Sequence, residues 1–290
     1  GTNGWSACGE TTETFAVGIP AAVTQVAAPS IAPGAVMTDS ITISDLGPAA
    51  TAAVEFQVFN LTDDAACAAP LDFDGTGPLG ITVTENGLAA GTTAGLADLI
   101  VPAAAAGDRL GYRERIVSIT VGGSTAPFAG AWSACGEATE SFDVVAPTAA
   151  TQVSAVTPAE VGDTVTDSIT ITGLGAGATA TVEFEVFNLT EDPTCAAPLT
   201  LFGGSDTATV SGLVNGMNVD ATSIVVPSSA SADEMGFRER IVAITAAGIT
   251  SPFAGTWSAC GERIYYKMGL FFEKIQKHLS CIVTIYSTHC

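Results

Sequence analysis

Cysteine is the residue type of this sequence that points most clearly to a chemical role, because its spacing recurs. Two positions recur at matching places in two related stretches, as Cys67 with Cys135 and as Cys195 with Cys260. The members of the two pairs lie 68 and 65 residues apart, which is not the spacing of a metal site. Side chains so placed either form a disulfide or remain as buried thiols.

A second recurring feature is the run Arg-Glu-Arg, at Arg113, Glu114, Arg115 and at Arg238, Glu239, Arg240. Side chains of a strand alternate between its two faces, so Glu114 shares a face with Tyr112 and Ile116, and both arginines lie opposite. The arginines can contact a ligand or pair with acidic side chains on adjacent strands. Pairing is the prediction.

Trp132 and Trp257 begin two copies of the hexapeptide Trp-Ser-Ala-Cys-Gly-Glu. An exposed tryptophan can serve as a platform for a sugar ring, whereas a buried one packs over a neighbour. Each of these residues lies three positions before a recurring cysteine. We expect structural side chains that pack over a disulfide.

Two local motifs leave alternatives open. The segment 72–77, Asp-Phe-Asp-Gly-Thr-Gly, is similar to the opening of a calcium loop, but the matching segment 200–205 has no acid. The runs Asn60-Leu61-Thr62 and Asn188-Leu189-Thr190 are glycosylation acceptors in a host that glycosylates, and a turn after a strand explains them equally well. We predict no metal site and no cofactor.

Charge and composition exclude several classes of function. Residues 1–262 contain 5 basic and 29 acidic side chains, a net charge of −24, so a nucleic-acid partner is excluded. The same residues contain neither lysine nor histidine. Catalysis would therefore rest on carboxylates alone, and we predict that this region is not an enzyme.

The hexapeptide sets the organisation of the chain. It begins at Trp5, Trp132 and Trp257, so its copies are 127 and 125 residues apart. Prolines before matching Thr-Gln-Val runs indicate the joins. The predicted divisions are the end of a preceding repeat (1–19), a first repeat (20–146), a second repeat (147–262) and an unrelated tail (263–290).

Apolar residues within each repeat alternate with a period of two. Val54, Phe56 and Val58 alternate with Glu55 and Gln57, and the run Val182 to Val186 repeats the pattern. Thr, Val and Ile dominate such runs, and Gly, Pro, Asp and Asn separate them. About seven segments of this kind in each repeat predict an all-β, antiparallel sandwich of two sheets.

The tail has a different composition. A helical spacing, typical of an amphipathic helix, relates its apolar residues Ile264, Met268, Phe271, Phe272, Ile275 and Leu279. An artefact of translation or assembly is the favoured explanation of the break after Glu262, and a genuine appendage is the alternative. No run of 18 apolar residues is present, so we expect no membrane span in this fragment.

Several short motifs mark each repeat, and their order resembles that in the tandem Ig-like repeats of actinobacterial cell-envelope proteins. In the second repeat the marks are Thr-Gln-Val at 151–153, Val-Thr-Asp-Ser-Ile-Thr-Ile-Thr-Gly-Leu at 165–174, Val-Glu-Phe-Glu-Val-Phe at 182–187, Cys195, Gly-Phe-Arg-Glu-Arg-Ile at 236–241 and Cys-Gly-Glu at 260–262. The first repeat shows the same series with Asp39, Cys67, the run 112–115 and Cys-Gly-Glu at 135–137.

This resemblance implies Ig-like sandwiches at the cell surface, with disulfides Cys67 to Cys135 and Cys195 to Cys260. It also implies a structural or adhesive extracellular stalk whose partners are neighbouring repeats and a cell-wall or host ligand. The alternative is a carbohydrate- or calcium-binding accessory module of a secreted enzyme. A wider resemblance to pilin and adhesin domains with isopeptide or ester cross-links would give Glu114 and Glu239 an assisting role. The repeats lack the lysine and the late glutamine of such bonds, so neither bond is predicted.

Overall fold

The computed structural model describes residues 15–72, 82–154, 159–230, 233–260 and 262–264. The chain forms two compact units. The first unit is drawn from the residues up to Ser30, from Val36–Ile100 and from Asp108–Asp143. The second unit is drawn from Ile31–Ala35, from Val101–Gly107 and from the residues after Asp143. The boundaries predicted at residues 20, 147 and 263 stay predictions.

The strands of the first half of the chain are short runs rich in Val, Thr and Ala, separated by Gly, Pro and Asp. In chain order they are β1 (Ala21–Val26), β2 (Ser30–Ile31), β3 (Val36–Ser44), β4 (Ala50–Asn60), β5 (Val83–Leu88), β6 (Gly91–Ile100), β7 (Arg109–Val121), β8 (Ser124–Pro127) and β9 (Ser141–Val144). One sheet has the order β1-β3-β6 and the other the order β2-β9-β7-β4-β5, with β8 beside β7. Neighbouring strands pair antiparallel, as β1 with β3, β3 with β6, β4 with β5, and β7 with β4, β8 and β9.

Buried side chains alternate with more exposed ones along β4 and β7, and the buried ones form the core of the first unit. Val54, Phe56 and Val58 of β4 are fully buried, whereas Glu55 and Gln57 between them are half-buried. Tyr112 of β7 crosses to the other sheet, where its hydroxyl lies 3.0 Å from the carbonyl oxygen of Ala97. The apolar faces of the two sheets therefore pack against each other.

The strands of the second half repeat this arrangement. They are β10 (Thr148–Ser154), β11 (Thr164–Thr172), β12 (Thr179–Asn188), β13 (Thr207–Leu213), β14 (Gly216–Val225), β15 (Met235–Ala246), β16 (Ile249–Pro252) and β17 (Glu262–Ile264). One sheet has the order β10-β11-β14, and the other has β13-β12-β15-β16, with β17 beside β15. The 3-10 turns Ala103–Ala105 and Ser228–Ala230 are the helical elements of the described residues.

The core of the second unit contains side chains from both of its sheets. Ile169 and Ile171 of β11 pack in one cluster with Val182 and Phe184 of β12 and with Ile241 of β15. Burial of one face of each sheet is the main favourable free energy of such a fold. The predicted all-β class and antiparallel sandwich are thus confirmed.

Two predictions concern residues outside the described part of the chain. The possible calcium loop at 72–77 lies there except for Asp72. The possible amphipathic helix of the tail lies there beyond Ile264. Among the described residues, no helix is long and apolar enough to cross a membrane.

Candidate functional site: the disulfide end and the buried acids of each sandwich

Within the described residues, a disulfide lies at the same place in the fold of each unit. The sulfur atoms of Cys67 and Cys135 are bonded, with Cα atoms 5.9 Å apart. Those of Cys195 and Cys260 are bonded, with Cα atoms 5.8 Å apart. The first cysteine follows the end of β4 or β12, and the second lies in the segment after β8 or β16. The bond therefore joins the middle of each repeat to its end.

A folded turn presents the first cysteine of each pair. In the first unit the side-chain oxygen of Asn60 accepts the backbone N–H of Thr62, and Asp64 Oδ2 accepts those of Ala68 and Ala69 at 2.6 and 2.7 Å. These bonds hold Cys67 in the left-handed region, at φ 53°, which few side chains adopt without support.

The turn of the second unit repeats these contacts. Asn188 accepts the N–H of Thr190, and Asp192 Oδ2 accepts those of Ala196 and Ala197 at 2.6 and 2.8 Å. The N–H of Ala197, with further donors, holds the pKa of Asp192 below its usual range. Asn60 and Asn188 are thus engaged in turn contacts, which favours the turn over the glycosylation acceptor.

The arginines and tryptophans form one stack on the outer face of each second sheet. In the second unit, Arg238 and Arg240 pair with Glu185 and Glu183 of β12, each at 2.6 Å. The same guanidinium groups lie 4.5 and 4.4 Å from the ring centre of Trp257. Cation–π contact adds to the ion pairs here.

The first unit has the same stack with one difference. Arg115 pairs with Glu55 at 2.7 Å and lies 4.5 Å from the ring centre of Trp132. Arg113 faces Gln57, which replaces Glu185, and its Nε donates to the carbonyl oxygen of Ser133. Both tryptophans therefore stack with guanidinium groups, and their packing over a disulfide stays a prediction.

The middle residue of each run points into the sandwich. Glu114 is 2% exposed and Glu239 is also 2% exposed. Glu239 Oε2 accepts a hydrogen bond from Thr151 at 3.0 Å, and Ser258 accepts the backbone N–H of Glu239 at 3.1 Å. Alternation along the strand accounts for this inward position.

Sequence reasoning missed Glu140, which completes this cluster in the first unit. Glu140 is 1% exposed, and its Oε1 lies 2.7 Å from Thr24 Oγ1. Burial, followed by the charge of Glu114, raises the pKa of Glu140 to about 8. Burial also raises the pKa of Glu114 and raises that of Asp39 to about 7. The sequence held one signal for this residue: a glutamate stands three positions after Cys-Gly-Glu in two copies, as Glu13 and as Glu140.

The side chains of this site have a limited chemical range. Among the described residues, no group of His, Cys, Asp and Glu could hold a metal ion. Glu114 and Glu140 form a carboxyl pair of the kind used in acid–base catalysis. Their exposures are only 2% and 1%, although Glu114 also lines the groove beside Trp132.

Grooves lie beside the tryptophans at matching positions. One of about 230 Å³ is lined by Pro20, Phe128 and Trp132, and one of about 350 Å³ is lined by Pro147, Phe253 and Trp257. Both tryptophans are half-buried, so part of each ring is accessible from the solvent.

The chain matches no protein-family model and no curated protein. Among solved structures it is similar to a Mobiluncus mulieris adhesin described as containing intramolecular disulfide, isopeptide and ester bond cross-links, at 9% identity and a TM-score of 0.32, over 77% of this chain and 80% of that one. It is similar to the Yersinia pseudotuberculosis adhesin InvE at 13% identity and 0.30, over 82% and 58%. A marsupial T cell receptor matches at 10% and 0.27, over 83% and 73%.

Proposed function

We propose that this chain is part of an extracellular stalk, structural or adhesive, built of disulfide-bonded Ig-like repeats without catalysis. The observation that carries the proposal is the recurrence of one intramolecular disulfide at the same place in both units. Disulfides persist in oxidising compartments and are rare in the cytosol of most organisms. Two equivalent bonds in successive repeats therefore support a location outside the cytoplasm.

The side chains that could do chemistry support a structural role. The arginines pair with glutamates and tryptophans of their own unit, and the central glutamates are buried. The described residues hold no group that could bind a metal ion. With neither lysine nor histidine in residues 1–262, the repeats have few nucleophiles and bases.

Antibodies raised against residues 20–262 test this proposal on intact cells of the source organism. We expect labelling without permeabilisation, and we expect the protein from the cell surface to carry both disulfides. Labelling that needs permeabilisation, together with four free thiols at Cys67, Cys135, Cys195 and Cys260, would overturn the proposal.

A second candidate is a carbohydrate-binding accessory module. The recurring grooves beside Trp132 and Trp257 favour it, because an accessible indole ring can stack on a sugar. Titration with cell-wall oligosaccharides, followed by tryptophan fluorescence, tests this candidate. Saturable quenching, together with a calorimetric heat of binding that is lost in Trp132→Leu with Trp257→Leu, would support it. Unchanged fluorescence without a heat of binding would exclude it.

A further inference from the structure

The buried acids of the first unit lie where its first and last segments meet. Thr24 is in β1, and Glu140 comes directly before β9. The backbone joins the same segments, since the N–H of Val26 donates to the carbonyl oxygen of Thr139 at 2.9 Å. Glu114 approaches from β7 and bonds to Thr24 at 2.9 Å. One side-chain cluster therefore connects both ends of the unit and both of its sheets.

Counting protons shows that this cluster needs a neutral carboxyl group. Thr24 Oγ1 lies 2.9 Å from Glu114 and 2.7 Å from Glu140, and Ser133 Oγ lies 2.9 Å from Glu114. Two hydroxyl groups supply two protons for these three contacts. Ser133 Oγ lies 3.3 Å from Glu140 Oε2 as well, a fourth contact for the same two protons. At least one carboxyl proton must therefore be present in the native arrangement.

The surrounding charges give no substitute for that proton. Asp39 approaches Glu114 from β3, and Glu137 adds a negative charge from the segment that carries Glu140. The nearest arginines of β7, Arg113 and Arg115, point to the opposite face. Loss of the proton would leave two adjacent buried negative charges, an arrangement that costs far more than a surface pair.

We propose that Thr24, Glu114 and Glu140 form a proton-dependent clamp, which fastens the first strand of this unit to its last segment and opens as the solution becomes alkaline. This device goes beyond the proposed stalk function and does not depend on it. Burial raises the pKa of Glu140 from an ordinary 4.5 to about 8, and this sets the direction in which stability changes with pH. A raised carboxyl pKa means that the folded state holds its proton more tightly than the unfolded state. The stabilisation is complete below pH 4.5 and is lost as the pH rises to about 8.

The second unit provides an internal comparison. Thr151 and Ser258 contact Glu239 as Thr24 and Ser133 contact Glu114. Seven residues after Ser133 the chain has Glu140, whereas seven residues after Ser258 it has Tyr265. The sequence thus has a carboxyl group at this position in the first unit and a tyrosine in the second.

Amide hydrogen exchange of the intact chain between pH 6 and pH 9, corrected for intrinsic rates, tests the clamp. Val26 reports on it, and Phe128, whose N–H donates to Val117 at 2.8 Å, is the reference. We expect the protection of Val26 to fall by roughly tenfold or more while that of Phe128 holds. Glu140→Gln keeps the shape and a donor but cannot ionise, so the fall of Val26 protection should become smaller in this variant. Asp39, which pairs with Val26 on β3 and has a pKa of about 7, accounts for the part that remains.

Three results would overturn the proposal. An equal fall at Val26 and Phe128 would indicate general destabilisation. The same pH dependence in Glu140→Gln, folded by circular dichroism, would assign the titration elsewhere. An intact mass lower by one water molecule, with Thr24 joined to Glu140 in a peptide, would show a covalent ester that cannot titrate. If Glu140→Gln does not fold, the titration of Glu140 can be followed by carboxyl NMR in the unmodified chain. We expect a titration midpoint above pH 7, and a midpoint below pH 5 would contradict the clamp.

Discussion

Removing the disulfide of the first unit should lower its stability by an amount that the loop length sets. The bond between Cys67 and Cys135 closes a loop with a sequence separation of 68 residues. In the chain-entropy account, a loop of that length restricts the unfolded chain by about 4 kcal/mol. Typical domains are stable by only 5 to 15 kcal/mol, so this is a large share.

The expected change in melting temperature follows from the size of a repeat. Trp132 and Trp257 give a period of 125 residues. The entropy of unfolding of such a unit is about 0.26 kcal/mol/K, so about 4 kcal/mol corresponds to a fall of about 15 °C. Differential scanning calorimetry of Cys67→Ser with Cys135→Ser measures this fall.

The second unit is the matched control in the same molecule. Its own bond, between Cys195 and Cys260, has a sequence separation of 65 residues, so Cys195→Ser with Cys260→Ser should have nearly the same effect. The background should carry serine at Cys8, Cys281 and Cys290, which prevents disulfide exchange. A fall of less than 3 °C in both units would refute the reasoning, because the bonds would then not restrict the unfolded chain.

The remaining predictions concern packing, ion pairs and metal ions. Arg238→Gln should cost about 1 to 3 kcal/mol in urea unfolding, because it breaks a largely buried pair with Glu185 and a stack on Trp257. Arg109→Gln should cost under about 0.5 kcal/mol, since its 3.9 Å pair is exposed, and equal costs would contradict this. Gly130→Ala should destabilise by about 1 to 3 kcal/mol, as the new Cβ meets the carbonyl oxygen of Ile116; Gly47→Ala, in open space, is the control. A chelator should leave the melting temperature unchanged, and a fall of several degrees would reveal a bound cation.

The strands could be predicted because alternation is a local property of the sequence. Val54, Phe56 and Val58 show a period of two that only a half-buried strand satisfies, and the structure places all three in the core. Repetition added the cysteine pattern, since the same two positions recur in each repeat. Local pattern and repetition together were sufficient for the fold class.

The buried cluster could not be predicted, since it depends on contacts between distant residues. Thr24 and Glu140 are 116 residues apart and meet only when the first and last segments pack together. In a chain with 30 acidic residues, nothing local separates a buried glutamate from an exposed one. The stacking of Trp132 on Arg115 was hidden for the same reason.

The disulfide of each repeat should limit how far the chain can be extended, and stretching single molecules by their ends tests this most directly. The proposed repeat 20–146 has 127 residues, of which the bond between Cys67 and Cys135 encloses about 68. Unfolding the oxidised first unit should therefore lengthen the chain by roughly 20 nm, and the reduced unit by roughly 45 nm. Steps of equal length in both redox states would contradict the account.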